Sequence, residues 1–236
     1  MKKILIMVLL ATGATLASTQ EVSYKAADGI QVYADHTAIT KARGLIILFH
    51  QANGSRLEYE KIAPKLNTLG FATLAVDQRF GGSEFGGVNK TAAQVSRSSY
   101  SATLPDLEAS LRYAKTTLKA PKVIVWGSSY SSALVFLLAA KNPQDVAGLL
   151  AFSPDEYLEK PNLVREAAKK VNIPVFITSA DSEVKAAKAI FNATGSKNKT
   201  QFIPKGIGLH GSRVLSNPLT GAEYWVAVEK FLSQYK

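Results

Sequence analysis

Residues 123–131 read Val123-Ile-Val-Trp-Gly127-Ser128-Ser129-Tyr130-Ser131, and the run Ser132 to Lys141 that follows is apolar nearly all round. Four β-branched or aromatic residues passing directly into a helical stretch predict a buried strand that turns sharply into a buried helix. The turn has the pattern Gly-x-Ser-x-Ser. Such a strand-to-helix turn holds its middle residue, here Ser129, in a strained conformation with the hydroxyl exposed at the strand's C-terminal edge. Small residues two positions either side are required because neighbouring backbone passes too close for larger side chains. Gly127 satisfies this on one side, and Ser131 stands where glycine is usual. The bland reading of the same residues is a serine-rich helix cap; the strand before and the helix after favour a nucleophile.

Working outward, Leu45 to Phe49, Ala72 to Val76, Ala147 to Phe152, Val175 to Thr178 and Thr200 to Ile203 are also short continuous apolar or β-branched runs. Runs without alternation are the pattern of strands covered on both faces, as in a parallel sheet. Helical spacing separates them: Tyr59 to Leu69, Leu104 to Leu118, Asn162 to Lys170, Glu183 to Phe191 and Ala222 to Gln234. Upstream, Val22 to Lys25 and Ile30 to Ala34 flank Asp28-Gly29 and predict a hairpin. Alternating strands and helices in a chain of 236 residues define one α/β domain, a doubly wound, mainly parallel sheet of about eight strands with helices on both faces. Only about twenty residues separate the run ending at Phe152 from the one starting near Pro174, too few for a large lid domain. The stretch Gly81 to Thr103, rich in glycine and serine at its start, predicts a long loop on the rim of a site.

Composition narrows the chemistry. Cys is 0, which excludes disulfides, thiolate metal sites and a cysteine nucleophile. The net charge is +10, but the lysines are scattered and no basic cluster carries interleaved aromatics, so the charge reads as solvated surface and no nucleic-acid partner is expected. Lys2 and Lys3, the apolar run Ile4 to Leu10 and the small-residue end Thr15-Leu16-Ala17 read as a secretory leader over residues 1–17. The apolar run is well short of the ~20 residues that span a bilayer. The expectation is export to the periplasm or medium, with 18–236 as the folded domain and no stable membrane insertion.

A serine nucleophile needs a base, and the chain holds His36, His50 and His210. In a turn of this type the triad runs serine, acid, histidine along the chain, which leaves His210, set among Gly206, Gly208 and Gly211. The acid should follow a strand between the two. Asp181, after Pro174-Val-Phe-Ile-Thr-Ser-Ala, is the first choice, and Asp155, beside Glu156, the runner-up. The backbone N–H of Tyr130, first in its helix, is one expected oxyanion donor, and the loop His50-Gln51-Ala52-Asn53-Gly54-Ser55 should supply the second.

These residues resemble the α/β-hydrolase superfamily, in particular its small serine esterases and dienelactone-hydrolase-like members, over most of the chain from about Leu45 to His210 and the closing helix. The resemblance implies that His50-Gln51-Ala52 corresponds to a His-Gly-x loop whose third residue, Ala52, lends its N–H to the oxyanion, with His50 structural and Gln51 replacing the usual glycine. Asp77-Gln-Arg79-Phe-Gly-Gly82 is similar to the family's Asp-x-Arg-Gly-x-Gly turn, with Phe80 for a glycine, so Asp77 and Arg79 are expected to shape a loop. The implied activity is ester hydrolysis through an acyl-enzyme on Ser129, with no metal or organic cofactor. A short-chain, small or polymer-attached ester suits the absence of a lid. Candidate rim residues are Phe80, Phe85, Tyr100 and Tyr157. A secreted peptidase or amidase, and an inactive module that only binds, are the rival functions.

Overall fold

The computed structural model describes residues 17–96 and 98–236. The leader expected over 1–17 therefore lies, apart from Ala17, outside the described residues. Eight strands form one sheet: β1 (Ala17–Lys25), β2 (Gln31–Ile39), β3 (Leu45–Phe49), β4 (Ala72–Asp77), β5 (Val123–Ser128), β6 (Gly148–Phe152), β7 (Val175–Thr178) and β8 (Lys199–Phe202), in the order β1-β2-β4-β3-β5-β6-β7-β8. The β1–β2 hairpin joins β4 antiparallel, and every remaining pair is parallel. The sheet expected from the unbroken apolar runs is thus the one observed.

Alternate residues of each strand enter separate cores. Leu45, Ile47, Phe49, Val123 and Val125 face α2 (Leu104–Thr116), α3 (Tyr130–Lys141), α4 (Leu163–Ala168) and α5 (Val184–Ala193). Ile46, Leu48, Ile124, Trp126 and Phe176 face α1 (Ala63–Thr68) and α6 (Gly221–Leu232). Both faces being covered removes any place for polar alternation, which is why these strands read as continuous apolar runs. The segment between β6 and β7 holds only the short α4, so no lid domain is present there.

One helix departs from expectation. The spacing from Tyr59 to Leu69 suggests a single helix, but the chain makes a 3-10 turn over Arg56–Tyr59 and begins α1 only at Ala63. Pro64 is the cause: it lacks an N–H and fits a helix only in its first turn.

Register aligns the strand ends that matter. Phe49 lies opposite Gly127, Ser128 opposite Phe152, and Phe152 opposite Thr178. The residues leaving β3, β5, β6 and β7 therefore emerge side by side at one edge of the sheet.

Candidate active site

Ser129 leaves β5 with φ 55° and ψ −124° and is 7% exposed. A positive φ in a non-glycine residue is strained and persists only where the surroundings enforce it. Its N–H donates to Phe152 O at 2.9 Å, its carbonyl accepts from Ser132 N at 2.8 Å, and α3 starts on the next residue. A methyl group at Gly127 would lie 2.3 Å from Ser131 O, so glycine is obligatory on that side of the turn. Ser131 is tolerated on the other because its hydroxyl is fully occupied: it donates to His50 O at 2.6 Å and accepts from Gln78 Nε2 at 2.9 Å.

Ser129 Oγ lies 2.7 Å from His210 Nε2. The other imidazole nitrogen, Nδ1, bonds to Glu183 Oε1. With Nδ1–H donating to a carboxylate, Nε2 is left as the acceptor for the serine hydroxyl. Glu183 Oε2 accepts from Ser153 Oγ at 2.6 Å and from Ala180 N at 3.1 Å. Burial alone would raise the Glu183 pKa, but the bonds from His210 and Ser153 and the charge of His210 hold it below the ordinary glutamate value. Ser153, itself at φ 55°, also accepts Gly211 N at 3.0 Å, so one hydroxyl holds both the carboxylate and the loop carrying the histidine.

The sequence expectation is corrected at the acid. Asp181 is exposed, and among the described residues its carboxylate accepts only the Gly208 N–H, at 3.3 Å. Asp155 is exposed as well, while Glu156 caps α4 through the N–H groups of Val164 and Arg165. Asp181 and Glu183 belong to one 3-10 turn, Asp181–Glu183, whose first residue faces outward and whose third turns back over the end of β7. The sequence reading missed Glu183 by placing it inside the following helix, which begins at Val184. A glutamate two residues beyond the first carboxylate after the strand was the available signal, since glutamate at the third position of such a turn reaches back to the backbone before it.

At the end of β3, His50 is buried, and burial drops its pKa to about 4. Its Nε2 accepts Gln78 N at 3.0 Å, which leaves Nδ1–H to donate to Gln51 O at 2.7 Å. The Gln51 N–H is taken by Glu58 Oε2 at 2.7 Å. The Ala52 N–H donates to no group among the described residues, and Tyr130 N–H, at the first position of α3, has no preceding turn to bond.

Phe80, Tyr100 and Tyr157 gather around the ring of Tyr130, the residue after the serine: Tyr100 stacks on buried Tyr130 at 4.8 Å, Phe80 meets Tyr100 edge-on at 4.7 Å, and Tyr157 lies edge-on to Tyr100 at 6.5 Å. Phe85 is not part of this group; it lies over Gly54, where a methyl would come within 3.0 Å of its ring. Asp77 accepts the N–H groups of Arg56 and Lys90, and Arg79 pairs with Asp106 and Asp28, so both fix loops. Among the described residues no group of three His, Cys, Asp or Glu side chains could hold a metal ion, and no helix is long and apolar enough to cross a membrane.

A doubly wound sheet with a strained serine between its central strand and the following helix, bonded to a histidine from the last loop, defines the α/β-hydrolase class. The profile of the alpha/beta hydrolase fold family matches residues 44–188, and the chain belongs to that family. No curated protein matches it in sequence. Among solved structures it is similar to a dienelactone hydrolase from Anabaena variabilis, with TM-score 0.74 and 15% identity over 93% of this chain and 98% of that one. An esterase from Pyrococcus furiosus superposes with TM-score 0.73 and 18% identity, covering 93% of each chain. A monoacylglycerol lipase from Paleococcus ferrophilus gives TM-score 0.64 and 15% identity over 93% of this chain and 100% of that one.

Proposed function

We propose that the protein is an exported serine hydrolase that cleaves carboxylic esters through an acyl-enzyme. The observation that carries this reading is the strained Ser129 with its hydroxyl 2.7 Å from His210 Nε2. Ser129 Oγ attacks the ester carbonyl while His210 Nε2 takes its proton, and Glu183 at Nδ1 stabilises the imidazolium that forms. The oxyanion is received by the N–H groups of Tyr130 and Ala52. His210 then returns the proton to the departing alcohol. Water attacks the acyl group by the same route and frees the acid. Three of the similar structures are named for a dienelactone hydrolase, an esterase and a lipase, which supports ester over amide bonds. The short connection between β6 and β7, which holds only α4, favours small or polymer-attached esters over lipid surfaces. Export rests on the leader-like residues 1–17.

The test is hydrolysis of short and medium acyl p-nitrophenyl esters by the purified protein and by Ser129→Ala, with labelling by a serine-reactive phosphonate. Turnover and labelling at Ser129 are expected in the wild type, with a fall of about 10³-fold or more in the variant. Faster cleavage of peptides would make it a peptidase, and no turnover with no label would leave only a binding module.

A further inference from the structure

Beneath the serine lies a carboxyl group that the reaction sequence above does not use. Glu58, 3% exposed, lies in the 3-10 turn Arg56–Tyr59 that precedes α1, and both its oxygens are engaged. Oε2 accepts Gln51 N–H at 2.7 Å, and Oε1 accepts Ser128 Oγ–H at 2.6 Å. Ser128 Oγ in turn accepts Ser212 N–H at 2.8 Å. Gln51 immediately precedes Ala52, Ser128 precedes Ser129, and Ser212 follows His210 by two positions. We infer that Glu58 is a positioning residue whose carboxylate fixes the oxyanion loop, the serine turn and the histidine loop relative to one another. The inference rests on the serine-hydrolase reading above.

The protonation state of Glu58 decides how well this tie is made. An ionised carboxylate only accepts, which matches the two donors aimed at it; a protonated one must place its own proton, and the Ser128 hydroxyl then has to find another acceptor. Gln51 Oε1 is such an atom, buried with no partner. It and Ser128 Oγ converge on Gly211: a methyl there would lie 2.8 Å from the first and 2.6 Å from the second. Burial raises the Glu58 pKa to about 7, against the bonds from Ser128 and Gln51 and the pull of His210, with Glu84 raising it further. The ionisable groups acting on it are Glu84, which pairs with Arg213, His210 from the loop after β8, and the adjoining Tyr59. None places a cation directly on the carboxyl. The ordered site should therefore be lost as Glu58 gains its proton.

The experiment is a pH profile of kcat and KM from pH 5 to 9 on a p-nitrophenyl ester for wild type, Glu58→Gln and Ser128→Ala, with phosphonate labelling of Ser129 alongside. In the wild type Glu58 must lose its proton for the site to be ordered, which should add one proton, a slope of about 1, to the acid limb of log kcat/KM. Glu58→Gln should lose that added steepness, with kcat about 10- to 100-fold lower at pH 8 and KM within about 3-fold. Ser128→Ala, which keeps the Gln51 tie, should lose less. A folded Glu58→Gln with wild-type kcat and an unchanged acid limb overturns the inference. So does a folded Ser128→Ala with wild-type kcat/KM at every pH, which decides the matter even if Glu58→Gln does not fold. A wild type that neither labels nor turns over instead removes the hydrolase reading on which the inference stands.

Discussion

Ser129 and His210 are each marked by what surrounds them: a strand, a small-residue turn and a helix for one, three glycines after the last strand for the other. The acid was not marked in that way. Asp181 and Glu183 are both carboxylates just beyond β7, and which one meets the imidazole depends on the direction of a single 3-10 turn. A shift of two residues reverses the facing, and no periodicity in so short a segment reveals it. The geometry makes a sharp prediction. Glu183→Gln should lower kcat/KM on a p-nitrophenyl ester by about 10³- to 10⁴-fold, as loss of the orienting carboxylate does in other triads. Asp181→Asn, which removes the charge and leaves an amide oxygen able to accept Gly208 N–H, should cost less than about 10-fold. Equal losses in the two variants would count against Glu183.

The elements themselves were read well where burial sets the pattern and less well where a loop does the holding. Each strand of the parallel region falls within one or two residues of its expected run; from β3 to β7 residues on both faces are excluded from water, while β8, at the sheet edge, is only partly buried. The segment after β4 shows the opposite case. Nothing in Asp77-Gln-Arg79 reveals which carboxylates Arg79 will meet, because one partner, Asp106, opens α2 and the other, Asp28, sits in the hairpin turn. Arg79 donates from Nε and Nη2 to the fully buried Asp106 and also holds the half-exposed Asp28, joining three elements distant in sequence. Arg79→Ala leaves Asp106 buried with only the N–H of residue 79 as partner from that segment. The expected loss is about 3–5 kcal/mol in urea unfolding at pH 7, and Arg79→Lys should recover little of it because an ammonium cannot reproduce the forked contact. An unfolding midpoint unchanged in Arg79→Ala would show that the network contributes nothing net.

For the molecule as a whole, two buried groups near the site oppose one another in how stability follows pH. Glu58 is lifted from 4.5 to about 7, and His50 is lowered from 6.5 to about 4, each chiefly by burial. Between pH 4.5 and 7 the folded protein keeps a proton on Glu58 that the unfolded chain has lost. The stabilisation is complete below 4.5 and disappears as pH rises through 7. Between pH 4 and 6.5 the unfolded chain carries a proton on His50 that the folded protein refuses, so this contribution is complete above 6.5 and is lost as pH falls toward 4. Each slope is about 1.4 kcal/mol per pH unit, and their signs are opposite. From pH 4.5 to 6.5 the two therefore nearly cancel. Removing one should expose the other: unfolding free energies in urea at pH 4.5, 5.5 and 6.5 should rise for Glu58→Gln relative to wild type by about 1.4 kcal/mol per pH unit, and fall for His50→Gln by a similar amount. Taking each variant as a difference from wild type removes the carboxylates common to both. Parallel wild-type and Glu58→Gln profiles would mean that Glu58 ionises near its ordinary value when folded, and would remove the electrostatic basis for a pH-sensitive tie beneath Ser129.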